Sequence, residues 1–160
     1  MRYSMPGFRI EKRRETADVT LVTGTTITGA FFLDPSSHLH SGPERVGDLL
    51  NCEEGFFPLA RGNETMLVNR AHVLKVTLPP LTIEAQLDAS YVVATRRTAK
   101  LLLTTGEEIT GNVVVAGPPG QDRLRDYAVP HERFRYVELA DCTILVNAEH
   151  IVALTEVFEL

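Results

Sequence analysis

Apolar and polar residues alternate near the start of the chain in short runs that are typical of β-strands. Val19, Leu21 and Ile27 lie among threonines, and the segment TGTT at 23–26 interrupts them. β-branched residues favour strands, and glycine readily adopts the positive φ that a tight turn requires. The pattern therefore predicts a hairpin of two strands. Gly29, within the second strand, predicts a bulge or a sharp bend.

One short helix and three further strands are predicted next. The segment 43–50 begins with proline, has an early acidic residue and places Val46, Leu49 and Leu50 on one helical face. It is predicted to form a short helix or a helical turn. Prolines at 79 and 80 end the pattern, because proline cannot donate a hydrogen bond to a sheet ladder. The three strands are predicted at 56–60, 66–69 and 73–78.

The whole pattern occurs twice. The motif LxTGxxITG at 21–29 returns at 103–111, and TxLVNxxH at 65–72 returns at 143–150. Gly24 corresponds to Gly106, 82 positions later, and Asn69 corresponds to Asn147, 78 positions later. The difference in length falls in one loop after the hairpin. Internal self-similarity on this scale indicates two similar units. They are a first repeat at 8–78, a linker at 79–90 and a second repeat at 91–160.

Five short antiparallel strands with one bent strand suit a small closed or half-closed barrel. The sequence therefore predicts a mainly β protein of two tandem SH3-like barrels, each with a short helix between its second and third strands. The apolar positions kept in both copies are predicted to form the cores. These are Leu21, Ile27, Phe56, Leu59, Leu67, Val73, Leu103, Ile109, Phe134, Val137, Leu145 and Ile151.

These motifs resemble the Sm-like superfamily, which includes the Lsm proteins and Hfq. The segments 21–29 and 103–111 are similar to its first motif, and 66–73 and 144–151 are similar to its second motif. The resemblance implies a five-stranded bent barrel whose sheet edges build six- or seven-membered rings, so three tandem chains would supply six repeats. The same edges also allow the two repeats of one chain to dock edge to edge, which is the favoured arrangement. The family's uridine pocket uses Arg-Gly in the second motif, where this chain has Asn69-Arg70 and Asn147-Ala148.

Basic residues come before or at the start of each repeat. Arg13 and Arg14 lie in one cluster, and Arg96 and Arg97 lie in the other. Clustered cations bind phosphate, so these four residues are candidates for contacting nucleic acid or a nucleotide. Arg9 and Arg13 also resemble the arginine motif of PilZ domains, although Leu39 stands where the later glycine of that motif should be. The alternative interpretation is a solvated strand or arm.

Other repeated polar residues have structural and functional interpretations. Asn69 and Asn147 suit a turn, because asparagine tolerates left-handed backbone and bonds its own main chain, and they are also candidate ligand contacts. Arg45 and Asp48, which return as Arg123 and Asp126, have the spacing of a helical surface ion pair. Their repetition favours a structural role, in which Asp48 accepts backbone donors or Arg45 anchors the helix to the barrel. His38-x-His40 offers two imidazoles but no complete ligand set, so neither a metal nor another cofactor is predicted.

Charge and cysteine content narrow the functional classes. The formal net charge of -5 argues against bulk binding of nucleic acid. Cys52 and Cys142 do not occupy equivalent positions and are predicted to be free thiols in a reducing, cytoplasmic compartment. The leading hypothesis is a non-catalytic module that assembles, with itself or with a protein partner, through its sheet edges and without a membrane. The alternative is an RNA- or nucleotide-binding protein.

Overall fold

The computed structural model describes residues 12–37, 42–80, 82, 95–115, 124, 127 and 132–158. The first unit contains β1 (Arg13–Leu21), β2 (Thr26–Leu33), α1 (Val46–Asn51), β3 (Phe56–Arg61), β4 (Glu64–Asn69) and β5 (Val73–Thr77). The second unit contains β6 (Thr95–Leu103), β7 (Glu108–Val115), β8 (Phe134–Glu138), β9 (Thr143–Asn147) and β10 (Ile151–Glu156). Leu124 and Tyr127 are helical and lie between β7 and β8, where the repeat predicts the second short helix, and a 3₁₀ turn precedes both β5 and β10.

All ten strands belong to one antiparallel sheet in the order β10-β6-β7-β8-β9-β5-β1-β2-β3-β4. Within each unit the strands follow the same order, with the fifth strand beside the first and the fourth strand at the opposite side. The mainly β class predicted from the sequence is confirmed. The sheet is not closed into a barrel, so the prediction of two separate barrels is not confirmed. The two units instead continue into one another through the pairing of β5 with β9.

The hairpin turns fit the glycine pattern. Gly24 and Gly106 have φ of 94° and 90°, values that disfavour any residue with a side chain. Gly29 does not form the predicted bulge, since the β1–β2 ladder passes through it without a change of register. A Cβ there would lie 2.9 Å from the carbonyl oxygen of Ala60. Gly29 therefore permits the close approach of β3 to β2. The register shifts lie elsewhere, where β5 and β10 pair with the first strand of their unit.

Ten of the twelve predicted core residues are buried or packed against a core. Phe56 and Leu67 are not, because 59% and 65% of their surfaces are exposed. Their equivalents in the second unit, Phe134 and Leu145, are fully buried. The prediction was wrong at these two positions because β4 lies at an end of the sheet, whereas β9 has β5 as a further neighbour.

Candidate interaction surfaces: the seam and the two open edges

The two units meet along an antiparallel ladder between β5 and β9, which we call the seam. Lys75, Val76 and Thr77 lie opposite Val146, Leu145 and Ile144. The amide of Leu78 extends the ladder by donating to the carbonyl of Thr143 at 3.0 Å. The seam thus joins the fifth strand of one unit to the fourth strand of the other, by main-chain hydrogen bonds that any two strand edges can form.

The Asn147 side chain bonds the two units to each other at the end of the seam. Its side chain accepts a hydrogen bond from the amide of Glu149 at 3.1 Å and donates to the carbonyl oxygen of Val73, in the other unit, at 2.9 Å. Both Asn147 and Asn69 have extended backbone rather than the left-handed conformation that asparagine tolerates. The equivalent Asn69 side chain accepts from the amide of Ala71 at 3.1 Å. The same residue thus caps a turn in both units and also bridges the units in one.

Asn147→Ala should lower the free energy of unfolding by about 2–3 kcal/mol, because it removes cross-unit bonds and leaves the buried Val73 carbonyl without this donor. Asn69→Ala is the matched control, and in the dilute chain it should cost less than about 1 kcal/mol. Denaturant unfolding of the two variants checks the difference. Equal losses at the two sites would contradict a bridging role for Asn147.

Side chains cross the seam in both directions. Phe134 and Leu145 belong to the second unit but pack in the core of the first unit, together with Phe57, Val73 and Val76. Leu74 belongs to the first unit but packs in the core of the second. Lys75 also forms an ion pair with Glu107 at 2.8 Å across the seam. The seam is therefore a packed apolar interface as well as a backbone ladder.

Helix α1 contacts the second unit beside the seam. The Asn51 side chain exchanges two hydrogen bonds with the main chain of Phe134, at 2.8 and 3.0 Å. The Arg45 guanidinium lies 6.0 Å from the centre of the Tyr136 ring. A Cβ at Gly47 would lie 2.3 Å from the Tyr136 hydroxyl, so the end of the Tyr136 side chain packs directly on this glycine. These contacts fix the relative placement of the two units.

The Arg45–Asp48 ion pair is largely shielded from solvent rather than on the surface, with 12% and 6% of the two side chains exposed. The guanidinium and carboxylate lie 2.9 Å apart, and Asp48 also accepts a hydrogen bond from the Arg45 amide at 2.9 Å. Asp48 therefore satisfies a backbone donor at the start of α1. The equivalent Arg123 and Asp126 fall outside the described residues.

Within the described residues the sheet has two open edges, β4 and β10, each with a neighbouring strand on one side only. Neither strand contains lysine or proline, two of the devices by which exposed edges avoid pairing. The exposed large hydrophobic residues of the described chain all lie on or next to these edges. They are Phe56, Leu67, Val152, Val157 and Phe158.

A cavity of about 300 Å³ adjoins the β10 edge. Tyr127, Arg135 and Ala148 line it together with residues 151–154 of β10. The Arg135 guanidinium lies 4.3 Å from the centre of the Tyr127 ring. Burial raises the pKa of the Tyr127 hydroxyl, which donates to the carbonyl oxygen of Tyr136 at 3.3 Å and so stays neutral and paired.

The candidate phosphate-binding arginines lie within strands rather than in arms before them. Arg13 contacts the Glu15 carboxylate at 2.6 Å, and Arg14 lies over the Phe32 ring. Arg96 pairs with Glu138 at 2.9 Å, and Arg97 is partly buried on β6. The structure therefore engages Arg13 and Arg96 with carboxylates, and it places Asn69 and Asn147 on other strands, at the ends of β4 and β9. Arg9 falls outside the described residues.

Sequence reasoning missed Arg70, which is 1% exposed. Its guanidinium donates to the carbonyl oxygens of Phe56 and Leu49, both at 2.9 Å, and lies over the Phe57 ring. The second unit has Ala148 at this position. This difference between otherwise similar motifs was the only feature of the sequence that could have indicated a special role for Arg70.

The thiols and the possible metal ligands of the described residues do not form a reactive site. Cys52 and Cys142 are free thiols, and partial desolvation raises the pKa of both, which disfavours the nucleophilic thiolate. Among the described residues, no cluster of three His, Cys, Asp or Glu side chains could hold a metal ion. His38 and His40 lie outside these residues.

None of the described helices has the length and apolar character needed to cross a lipid bilayer. Comparisons with protein families, with curated proteins and with solved structures found no match to this chain.

Proposed function

We propose that this chain is a non-catalytic interaction module that joins larger assemblies through the edges β4 and β10. In this proposal each set of five strands is an Sm-like unit, and the module acts by adding a partner's strand to its sheet. β-Strand addition obtains affinity from main-chain hydrogen bonds and specificity from side-chain pockets. The single observation that carries the proposal is the seam, where edges of the same two kinds already pair within one chain.

The composition of the open edges supports this function. Apolar side chains exposed on a sheet edge are a liability unless they are covered in the working protein. Phe56 and Leu67 are exposed at the β4 side and Val152 is exposed on β10, so both edges carry such residues. The cavity beside β10 offers a pocket for a side chain of an added strand.

Binding of RNA or a nucleotide through Arg13, Arg14, Arg96 and Arg97 is less well supported. The ion pairs of Arg13 with Glu15 and of Arg96 with Glu138 compete with phosphate. Filter binding of single-stranded RNA over a salt series separates the two hypotheses, because phosphate contacts give a steep loss of affinity as salt rises.

The function is tested in the cells that make the protein. The wild-type chain in a lysate should elute from gel filtration at a larger size than its 17.7 kDa, and Leu67→Asp or Val152→Asp should shift it to a smaller size. Thr110→Asp, at an exposed site in the middle of the sheet, is the matched control and should leave the elution unchanged. A complex that keeps its size in both edge variants would overturn the proposal, whatever the partner.

A further inference from the structure

The strand pairing at the seam indicates which strand would pair with each open edge. We infer that β4 of one copy pairs with β10 of a second copy in the register of the seam, which gives a head-to-tail assembly of identical chains. This inference rests on the proposed function and adds the identity of the partner and the register. It follows from the repeat, because β4 corresponds to β9, and β10 corresponds to β5, 78 positions along the chain in both cases.

The seam dictates which residues would face each other. Lys75, Val76 and Thr77 lie opposite Val146, Leu145 and Ile144 within the chain. Transferred by 78 positions, this register places Ala153, Leu154 and Thr155 of one copy opposite Val68, Leu67 and Met66 of the next. The Asn69 side chain would then reach the carbonyl of Ile151 in the second copy, as Asn147 reaches that of Val73.

The exposed side chains match the buried side chains of the seam one by one. Phe134, Leu145 and Leu74 are each at most 2% exposed, because they cross the seam. Their equivalents Phe56, Leu67 and Val152 are among the most exposed large hydrophobic residues of the described chain. Val152, like Leu74, lies at the register shift of its strand and is skipped by the ladder with the first strand of its unit. One pairing between copies would therefore cover all three.

The cavity beside β10 lies where the exposed side chains of a second copy would be placed. Its lining residues Tyr127, Arg135 and Ala148 correspond to Leu49, Phe57 and Arg70 of the first unit. At that place in the first unit, Phe134 and Leu145 complete the core that includes Phe57 and has Leu49 packed against it. In the inferred pairing, Phe56 and Leu67 of the second copy would therefore fill this cavity, as Phe134 and Leu145 fill the equivalent space in the first unit.

The pairing joins two different surfaces, so it is heterologous. Each copy uses β4 towards one neighbour and β10 towards the other, and such contacts give a ring if the rotation closes. A symmetric dimer formed by β4 with β4, or by β10 with β10, is a different arrangement, and variants that disable one edge at a time distinguish it.

Leu67→Asp and Val152→Asp each disable one edge of the purified chain. Each variant alone should be monomeric in sedimentation velocity at concentrations where the wild type associates, with association weakened at least about 100-fold by burial of an unpaired charge. An equimolar mixture of the two variants should give a heterodimer that grows no further, because one intact β10 and one intact β4 remain to pair. Thr110→Asp should assemble like the wild type, and circular dichroism checks that every variant is folded.

Two kinds of result would overturn the inference. If one variant alone still forms a dimer, pairing is between like edges, and if the mixture stays monomeric, β4 does not pair with β10. A wild-type chain that is monomeric when pure, yet forms an edge-dependent complex in the lysate, would overturn this inference while the proposed function stands. A complex in the lysate that does not depend on either edge would remove the proposed function itself.

Discussion

Phe134→Ala is expected to lower the free energy of unfolding by about 3–5 kcal/mol. The side chain is fully buried and packs across the seam against the core of the first unit, so its removal leaves a cavity that main-chain contacts on both sides hold open. Asn51 clamps the main chain of Phe134 from helix α1, which limits how far the strand can collapse into the space. Denaturant unfolding of the dilute protein measures the loss.

Phe56→Ala is the matched control, because Phe56 holds the same position in the first unit and is 59% exposed. In the dilute chain this change should cost less than about 1 kcal/mol, while it should weaken association between copies. Equal destabilisation by the two changes would mean that Phe56 is already covered within a single chain, so that β4 would not be an open apolar edge.

Arg70→Ala is expected to cost about 2–4 kcal/mol of folding stability. The buried guanidinium satisfies the carbonyl oxygens of Phe56 and Leu49 and packs on the Phe57 ring, so it ties the end of α1 to β3. Its removal leaves two carbonyl groups without that donor and opens a cavity behind them. Thermal unfolding followed by circular dichroism is the measurement.

Arg61→Ala serves as the control for loss of an arginine. Arg61 is exposed at the end of β3, and its replacement should change stability by no more than about 0.5 kcal/mol. A loss at Arg70 as small as that at Arg61 would show that the guanidinium is not a structural tie. The second unit has Ala148 at the place of Arg70, so that unit provides no equivalent tie.

Local structure was readable from the sequence because its causes are local. β-Branched alternation predicted the strands, and the glycines at 24 and 106 predicted the hairpins, whose backbone takes positive φ there. The short helix around Val46 and Leu50 followed from its apolar face and the proline before it. These features depend on neighbours a few residues away, so the pattern contains them.

The sequence did not predict whether two residues at equivalent positions of the repeat are both buried. Phe56 and Phe134 occupy the same place in the repeat, but the unit of Phe134 has a further strand beyond β9, and Asn51 of helix α1 bonds the Phe134 main chain. That neighbour is set by the pairing of β5 with β9, a contact between segments about 70 residues apart that no short pattern encodes. The burial of Arg70 has a similar origin, because two carbonyl groups from distant segments meet at its guanidinium.

The most direct test of edge-to-edge assembly is a disulfide placed in the inferred register between copies. In a chain with Cys52→Ser and Cys142→Ser, the pair Met66→Cys and Thr155→Cys would face each other across β4 and β10 of neighbouring copies. Mild oxidation should give a ladder of covalently linked chains on a denaturing gel. The control pair Glu64→Cys and Ala153→Cys is about 13 Å out of register and should stay uncrosslinked. Absence of the ladder, or equal crosslinking by the control pair, would contradict head-to-tail pairing through these edges.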